Sequence, residues 1–154
     1  MNHNKTVYLD SSALNRIFDD QTQARIYLES SSMLLIFMLI ENHFIEIVSS
    51  SALTFEKSQN PYDERRMFVD QVLQKAMVFE SGDKNTLKRA EEIEQQYGIK
   101  GVDALHLAYA EQLQVDALIT CDDRMIKRYK GNLSVINPVI FTMKFLQGAK
   151  NDPS

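Results

Sequence analysis

The chain has 154 residues, of which 44% are hydrophobic and 25% charged, with a formal net charge of −4. That composition describes one ordinary globular domain with chain enough for a core. It excludes a disulfide scaffold, because Cys121 is the single cysteine, and the lone thiol fits a reducing cytoplasm. The longest apolar run, Met33 to Ile40, is eight residues, far short of the about 20 a spanning helix needs. A nucleic-acid binder is more often basic, so the charge counts mildly against that class, unless bound divalent cations reverse the local sign.

In chain order, the polar stretch Met1 to Lys5 leads into a buried strand at Thr6–Leu9 and reads as no signal peptide. A loop or short helix follows at Ser11–Phe18. Gln21–Asn42 reads as a helix with a weak point at Ser30-Ser31-Ser32. Ile45–Ser49, rich in β-branched residues, is a second strand, and Ser51 is the expected N-cap of a short helix carrying Glu56. Asn60-Pro61 breaks the chain, Tyr62–Lys75 has near-helical spacing, and Ala76–Phe79 reads as a third strand closed by Ser81-Gly82-Asp83. Asn85–Tyr97 is a helix stopped by Gly98. A further helix spans Val102–Leu113, a fourth strand Ala117–Thr120 and a short basic helix Asp123–Tyr129. Val135-Ile136 reads as a last strand, Asn137-Pro138 opens the final segment with Phe141–Leu146 helical, and Asn151–Ser154 reads as a frayed tail. Strands separated by helices predict a single domain over residues 1–150 with a mostly parallel sheet between helical layers.

Four acids sit at the ends of these elements: Asp10 after the first strand, Glu56 after the second, Asp103 at a helix start and Asp122 after the fourth strand. Open parallel sheets bind ligands beyond the carboxyl ends of their strands. Carboxylates gathered there repel one another unless protonated or neutralised by a cation. A hard divalent ion held by oxygens answers that need, so position alone suggests Mg²⁺ or Mn²⁺ and phosphate chemistry. Any one of these acids by itself is more often a helix cap or a solvated charge. Asp19, Asp20, Glu41 and Glu46 read as surface charges.

The local motifs add a resemblance. Val7-Tyr8-Leu9-Asp10-Ser11-Ser12-Ala13-Leu14 resembles the opening strand and turn of the PIN-domain ribonucleases. Ser49–Glu56 resembles their second motif, Gly101–Ala108 their third and most distinctive, and Thr120-Cys121-Asp122-Asp123 their fourth, all in the family's order. The resemblance covers about Thr6 to Pro138. It implies a three-layer α/β/α sandwich and a Mg²⁺- or Mn²⁺-dependent endoribonuclease, with small single-domain members often VapC-like toxins of toxin–antitoxin pairs. It carries over Asp10, Glu56, Asp103 and Asp122 as the catalytic acids, with Ser12 in support. Asp10 and Asp103 become the principal metal ligands. Asp122, rather than its neighbour Asp123, binds a second ion or orients water. Glu56 acts through metal-bound water or as a base. The implied partners are an RNA substrate, an antitoxin protein and a second copy of the chain.

Other residues carry bland readings beside sharp ones. His106 shares a helix face with Asp103 and could pair with it on a metal, but a hydrogen-bonded structural histidine is the stronger reading. Cys121 reads as a small buried thiol. Arg124, Lys127, Arg128 and Lys130 form either a solvated face or a phosphate contact, and Arg16, Arg65 and Arg66 are weaker candidates for that contact. Met33–Ile40 reads as core, with a partner interface as the second reading. Two competing functions differ in class. A phosphoaspartyl protein expects an Asp-x-Asp or an acidic pair at the first strand, where this chain has Asp10-Ser11-Ser12. A catalytically degenerate RNA-binding or interaction module would keep the fold and lose the chemistry.

Overall fold

A computed structural model of the chain describes residues 4–150, so the expected tail at 151–154 lies outside the described residues. Five strands form one sheet in the order β3-β2-β1-β4-β5: β1 (Lys5–Leu9), β2 (Ile45–Ser50), β3 (Val78–Glu80), β4 (Ala117–Ile119) and β5 (Val135–Ile136). All four pairings are parallel, so the sheet expected to be mostly parallel is wholly so. Among the described residues, eight α-helices connect and cover the strands: α1 (Ser11–Leu14), α2 (Ala24–Glu41), α3 (Ser51–Gln59), α4 (Asp63–Leu73), α5 (Lys84–Tyr97), α6 (Val102–Gln112), α7 (Asp123–Arg128) and α8 (Pro138–Lys150), with a 3₁₀ turn at Arg16–Phe18. The result is the expected α/β/α arrangement. None of the described helices is long and apolar enough to cross a membrane.

The central strand explains the core. Val7, Tyr8 and Leu9 of β1 are at most 1% exposed, as are Leu118 and Ile119 of β4, because a strand flanked by two others and covered on both faces must be apolar on both. From β1 the chain builds outward through β2 to β3. It then returns to the other side of β1 for β4 and β5. The order therefore reverses between β1 and β4, and a crevice opens beyond their carboxyl ends where ligands of such sheets bind.

Several boundaries move from their sequence-based positions. Ser50, one residue earlier than expected, caps α3 by accepting the Leu53 N–H at 3.3 Å. The third strand is Val78–Glu80, not Ala76–Phe79, because Ala76 N–H still closes the end of α4 on Leu73 and pairing with Val48, Ser49 and Ser50 starts at Val78. Helix α2 runs unbroken through Ser30-Ser31-Ser32. Ser30 donates to the Arg16 carbonyl and Ser31 to the Tyr27 carbonyl, so neither hydroxyl unwinds it. The last helix begins at Pro138 rather than near Phe141. Asn137 accepts the Val139 N–H at 2.9 Å, and proline's fixed φ suits the first helical position. Within Met33–Ile40, Met33, Ile36 and Ile40 are buried. Leu34 and Met38 are 53% and 61% exposed, so this run is only partly core.

Candidate active site

Asp10 follows β1 at the crevice and is 3% exposed. Its backbone N–H reaches the Ile119 carbonyl of β4 at 3.2 Å, which fixes it against the neighbouring strand. Its Oδ1 accepts the Ser12 hydroxyl at 2.7 Å and the Ala13 N–H at 3.0 Å, and its Oδ2 accepts the Thr120 hydroxyl at 2.6 Å. A carboxylate offers about four lone-pair directions, so one on Oδ2 remains. Burial nevertheless raises the Asp10 pKa above its ordinary value, against the lowering effects of His106 and of these three donors.

Asp103 stands at the start of α6, which Gly101 launches with φ +64° and ψ −135°, a conformation that needs glycine. The half-buried Asp103 carboxylate has no hydrogen-bond partner among the described residues. Burial pushes its pKa up to about 6. His106 pulls the other way, and the negative fields of Asp10, Asp122 and Glu56 add to the rise. Asp103 thus feels the other three acids although the four come from elements spread over more than 110 residues of sequence. Asp122 caps α7 by accepting the N–H groups of Arg124 and Met125 on Oδ1, at 2.9 and 3.3 Å, which leaves Oδ2 free.

Glu56 reaches the site from α3. Its Oε1 accepts the Ser11 hydroxyl at 2.6 Å and the Nε2 of the buried His106. Burial raises its pKa, but the His106 hydrogen bond and field and the Ser11 bond outweigh that and hold it below the ordinary glutamate value. The other His106 ring nitrogen, Nδ1, lies 2.6 Å from the Tyr8 hydroxyl, which lies 2.6 Å from Ser50 Oγ. One assignment satisfies every member: Ser50 donates to Tyr8, Tyr8 to Nδ1, and Nε2–H to Glu56. No three side chains of His, Cys, Asp or Glu converge as a ready-made ion cage among the described residues.

Two clefts meet these acids. One, of about 340 Å³, is lined by Asp103 and Asp122 together with Lys100, Arg124 and Arg128. The other, of about 510 Å³, is lined by Ser11 and Glu56 together with Phe55, Tyr62, Arg65 and Arg66.

The family model of the PIN domain matches residues 7–132. The chain belongs to the PIN domain family. Its fold is shared with a toxin–antitoxin complex from Klebsiella pneumoniae at 19% identity and a TM-score of 0.53, over 86% of this chain and 97% of that one. VapBC2 from Rickettsia felis, solved bound to a DNA fragment from its promoter, gives 18%, 0.56, 86% and 98%. The PAE2754 protein of Pyrobaculum aerophilum gives 15%, 0.56, 94% and 98%. No curated protein sequence matches the chain.

In this PIN domain, Asp103 and Asp122 line the first cleft and Glu56 the second, Asp10 is buried at the end of β1, and Asp123 lines neither cleft. Arg25 donates to both Asp123 oxygens, at 2.5 and 2.6 Å. Arg16 is likewise occupied, by Glu29 and Asp19, while Arg124 and Arg128 line the first cleft and Lys127 and Lys130 do not. Sequence reasoning missed Lys100, which reaches the cleft from the turn between α5 and α6. It also missed Thr120 as a donor to Asp10, although the Thr-x-Asp ending of β4 was in view. His106 is the hydrogen-bonded histidine expected, but its partner is Glu56 itself. Cys121 is buried, and that burial pushes its thiol up to about 12, which makes it a poor nucleophile.

Proposed function

We propose that this PIN domain is a Mg²⁺- or Mn²⁺-dependent endoribonuclease that hydrolyses RNA phosphodiester bonds. The observation that carries the reading is Asp103: a half-buried carboxylate with no protein donor among the described residues, near three other acids at the sheet's switch point. Such a group gains most from a cation.

The donor set fits a hard ion. It is all oxygen, and its open arrangement suits Mg²⁺, which keeps several waters and is usually bound through one or two carboxylates rather than an all-protein cage. Asp103 and the free Oδ2 direction of Asp10 would hold it, with Asp122 Oδ2 for a second ion or a water. When bound, the ion would neutralise phosphate charge and make hydroxide available near neutral pH.

The chain's own side chains do the positioning. Ser12 and Thr120 hold the Asp10 carboxylate in one orientation. The depressed pKa of Glu56 keeps it ionised, so it accepts a hydrogen bond from an attacking water better than it accepts the proton. Lys100, Arg124 and Arg128 supply cations on the Asp103–Asp122 side for the phosphates of the strand.

Two of the similar folds come from toxin–antitoxin systems, which supports a toxin role with an antitoxin protein as partner. The buried thiol of Cys121 supports a reducing cytoplasm. The exposed Leu34 and Met38 of α2, with Tyr27 on the same helix at 62% exposure, offer apolar surface for a second copy of the chain.

The test is cleavage mapping on total cellular RNA with Mg²⁺ or Mn²⁺, comparing the chain with Asp10→Asn and Asp103→Asn. Unchanged metal-dependent cleavage in both folded variants rejects the assignment. Acetyl-phosphate labelling at Asp10 would favour the phosphoaspartyl class instead.

A further inference from the structure

The cleft on the Glu56 side has a composition that the acids do not explain. Phe55 and Tyr62 line it and are 60% and 57% exposed, which leaves two large aromatic rings open to a ligand in the cleft. Arg65 sits with its guanidinium carbon 4.3 Å from the centre of the Tyr62 ring and 5.5 Å from that of Phe18. The two rings fix the plane of the guanidinium. The other cations of this cleft are occupied, since Lys57 pairs with Asp70 and Arg66 with Asp63. Arg65 alone of the three is half-buried without a carboxylate or carbonyl partner among the described residues. Its donors are therefore open to an acceptor from outside the chain.

We infer that this cleft is a nucleotide subsite, in which one base beside the scissile phosphate stacks on Tyr62 and Phe55 and its phosphate or base edge takes the donors of Arg65. The inference rests on the nuclease reading and adds to it a location for base recognition. An acidic peptide would satisfy Arg65 and leave both rings unused, whereas a nucleotide uses the flat faces and the cation together. The two clefts then divide the labour. The Lys100–Arg124–Arg128 side has cations and no aromatic ring, and suits backbone phosphates. The Tyr62–Arg65 side has both, and suits a base with its phosphate. Ser11 and Val102 in the lining of the second cleft are the chain neighbours of Asp10 and of Asp103, and Asp103 lines the first, so a strand crossing from one to the other passes the acids.

The experiment uses the full chain in EDTA, where no cleavage occurs, and short RNA oligonucleotides carrying a single 2-aminopurine at successive positions. Stacking should quench the fluorophore at one position. Tyr62→Ala and Arg65→Ala should each weaken binding, Tyr62→Ala by roughly 5- to 100-fold, while Tyr62→Phe keeps wild-type affinity. An abasic residue at the quenched position should erase the effect of Tyr62→Ala. Wild-type affinity in both alanine variants, folded by circular dichroism, overturns the inference. A chain that binds and quenches but cleaves no RNA with Mg²⁺ or Mn²⁺ sinks the nuclease reading and leaves the subsite standing. One that cleaves RNA identically in wild type and both variants, with no quenching at any position, sinks the subsite alone.

Discussion

Arg25 holds Asp123 with both of its terminal nitrogens, at 2.5 and 2.6 Å. That grip separates two adjacent acids whose order in the sequence says nothing about which one faces the crevice. Asp122 keeps a free oxygen on the cleft that Asp103 also lines, while Asp123 is spent on α2. Asp122→Asn should therefore reduce RNA cleavage by about a hundredfold, in the range that loss of one charge-stabilising group produces. Asp123→Asn should stay within about threefold and cost no more than about 1 kcal/mol of stability, as an exposed pair does. Steady-state cleavage and urea unfolding of the two variants check this, and reversed effects would reverse the assignment.

Asp103 sets the pH dependence of the metal-free protein. Its folded pKa, about 6, lies above its ordinary value of 3.8, and that of Asp10 is raised as well. The folded state therefore binds protons more tightly than the unfolded chain. This contribution to stability is fully present below about pH 4 and is lost as the pH rises through 6. In EDTA at pH 7.5, Asp103→Asn should melt about 2–4 °C above wild type after discounting for the half-exposed position. The gain should vanish near pH 4. Millimolar Mn²⁺ should raise the Tm of wild type at pH 7.5 and leave the variant unmoved, because a ligand of the native state stabilises it. Scanning calorimetry at the two pH values decides both points.

Thr120 gives Asp10 Oδ2 its single donor, at 2.6 Å. Thr120→Val keeps the shape and removes this bond together with the one that Thr120 Oγ1 accepts from the Asp122 N–H at 3.0 Å. The buried carboxylate then loses a stabilising partner, at a cost of about 1–3 kcal/mol, and its pKa rises further. Unfolding in urea should show that loss. The acidic limb of the cleavage–pH profile should move upward, since Asp10 must be ionised to serve as a ligand. A stability loss with an unmoved profile would confine Thr120 to packing.

His106 connects Tyr8 to Glu56. Replacing it by Phe takes one of two partners from the Tyr8 hydroxyl, which keeps Ser50, and removes the strongest influence holding Glu56, which keeps Ser11, below its ordinary value of 4.5. Each lost hydrogen bond costs about 1 kcal/mol. The depressed Glu56 contributes stability present above pH 4.5 and lost as the pH falls through its folded value, so the His106→Phe deficit should shrink on acidification. Carboxyl NMR titration of Glu56 should report an upward shift in the variant.

Lys100, Arg124 and Arg128 should each contribute one phosphate contact. Changing any of them to Ala should weaken RNA binding similarly across sequences and reduce the slope of log affinity against log salt by about 0.7 for a single strand. Lys127→Ala, outside that cleft, should leave the slope unchanged. Fluorescence anisotropy between low and moderate salt measures it.

The period and boundaries of the apolar segments were enough to set a mostly parallel sheet between helices, because a strand covered on both faces has to be apolar on both, as Val7-Tyr8-Leu9 is. The four acids were legible too, each at an element end in a recognisable order. Thr120 and His106 were in view, but nothing local distinguishes a threonine that donates to Asp10 across 110 residues from one that merely ends a strand. Helix starts shifted by one to three residues, as where Ser50 rather than Ser51 caps α3 and where the last helix begins at Pro138.

The sequence by itself determined which residue types stand where the strands end, since local patterning fixes the strands and the strands fix their carboxyl edge. Only the tertiary structure decided which of those residues meet. The reversal of strand order between β1 and β4 brings Asp10 to Thr120, and burial there makes charge on Asp103 costly. Arg25 of α2 removes Asp123, and His106 takes hold of Glu56. These are long-range pairings governed by distance and desolvation, and neither quantity is written in the order of the residues.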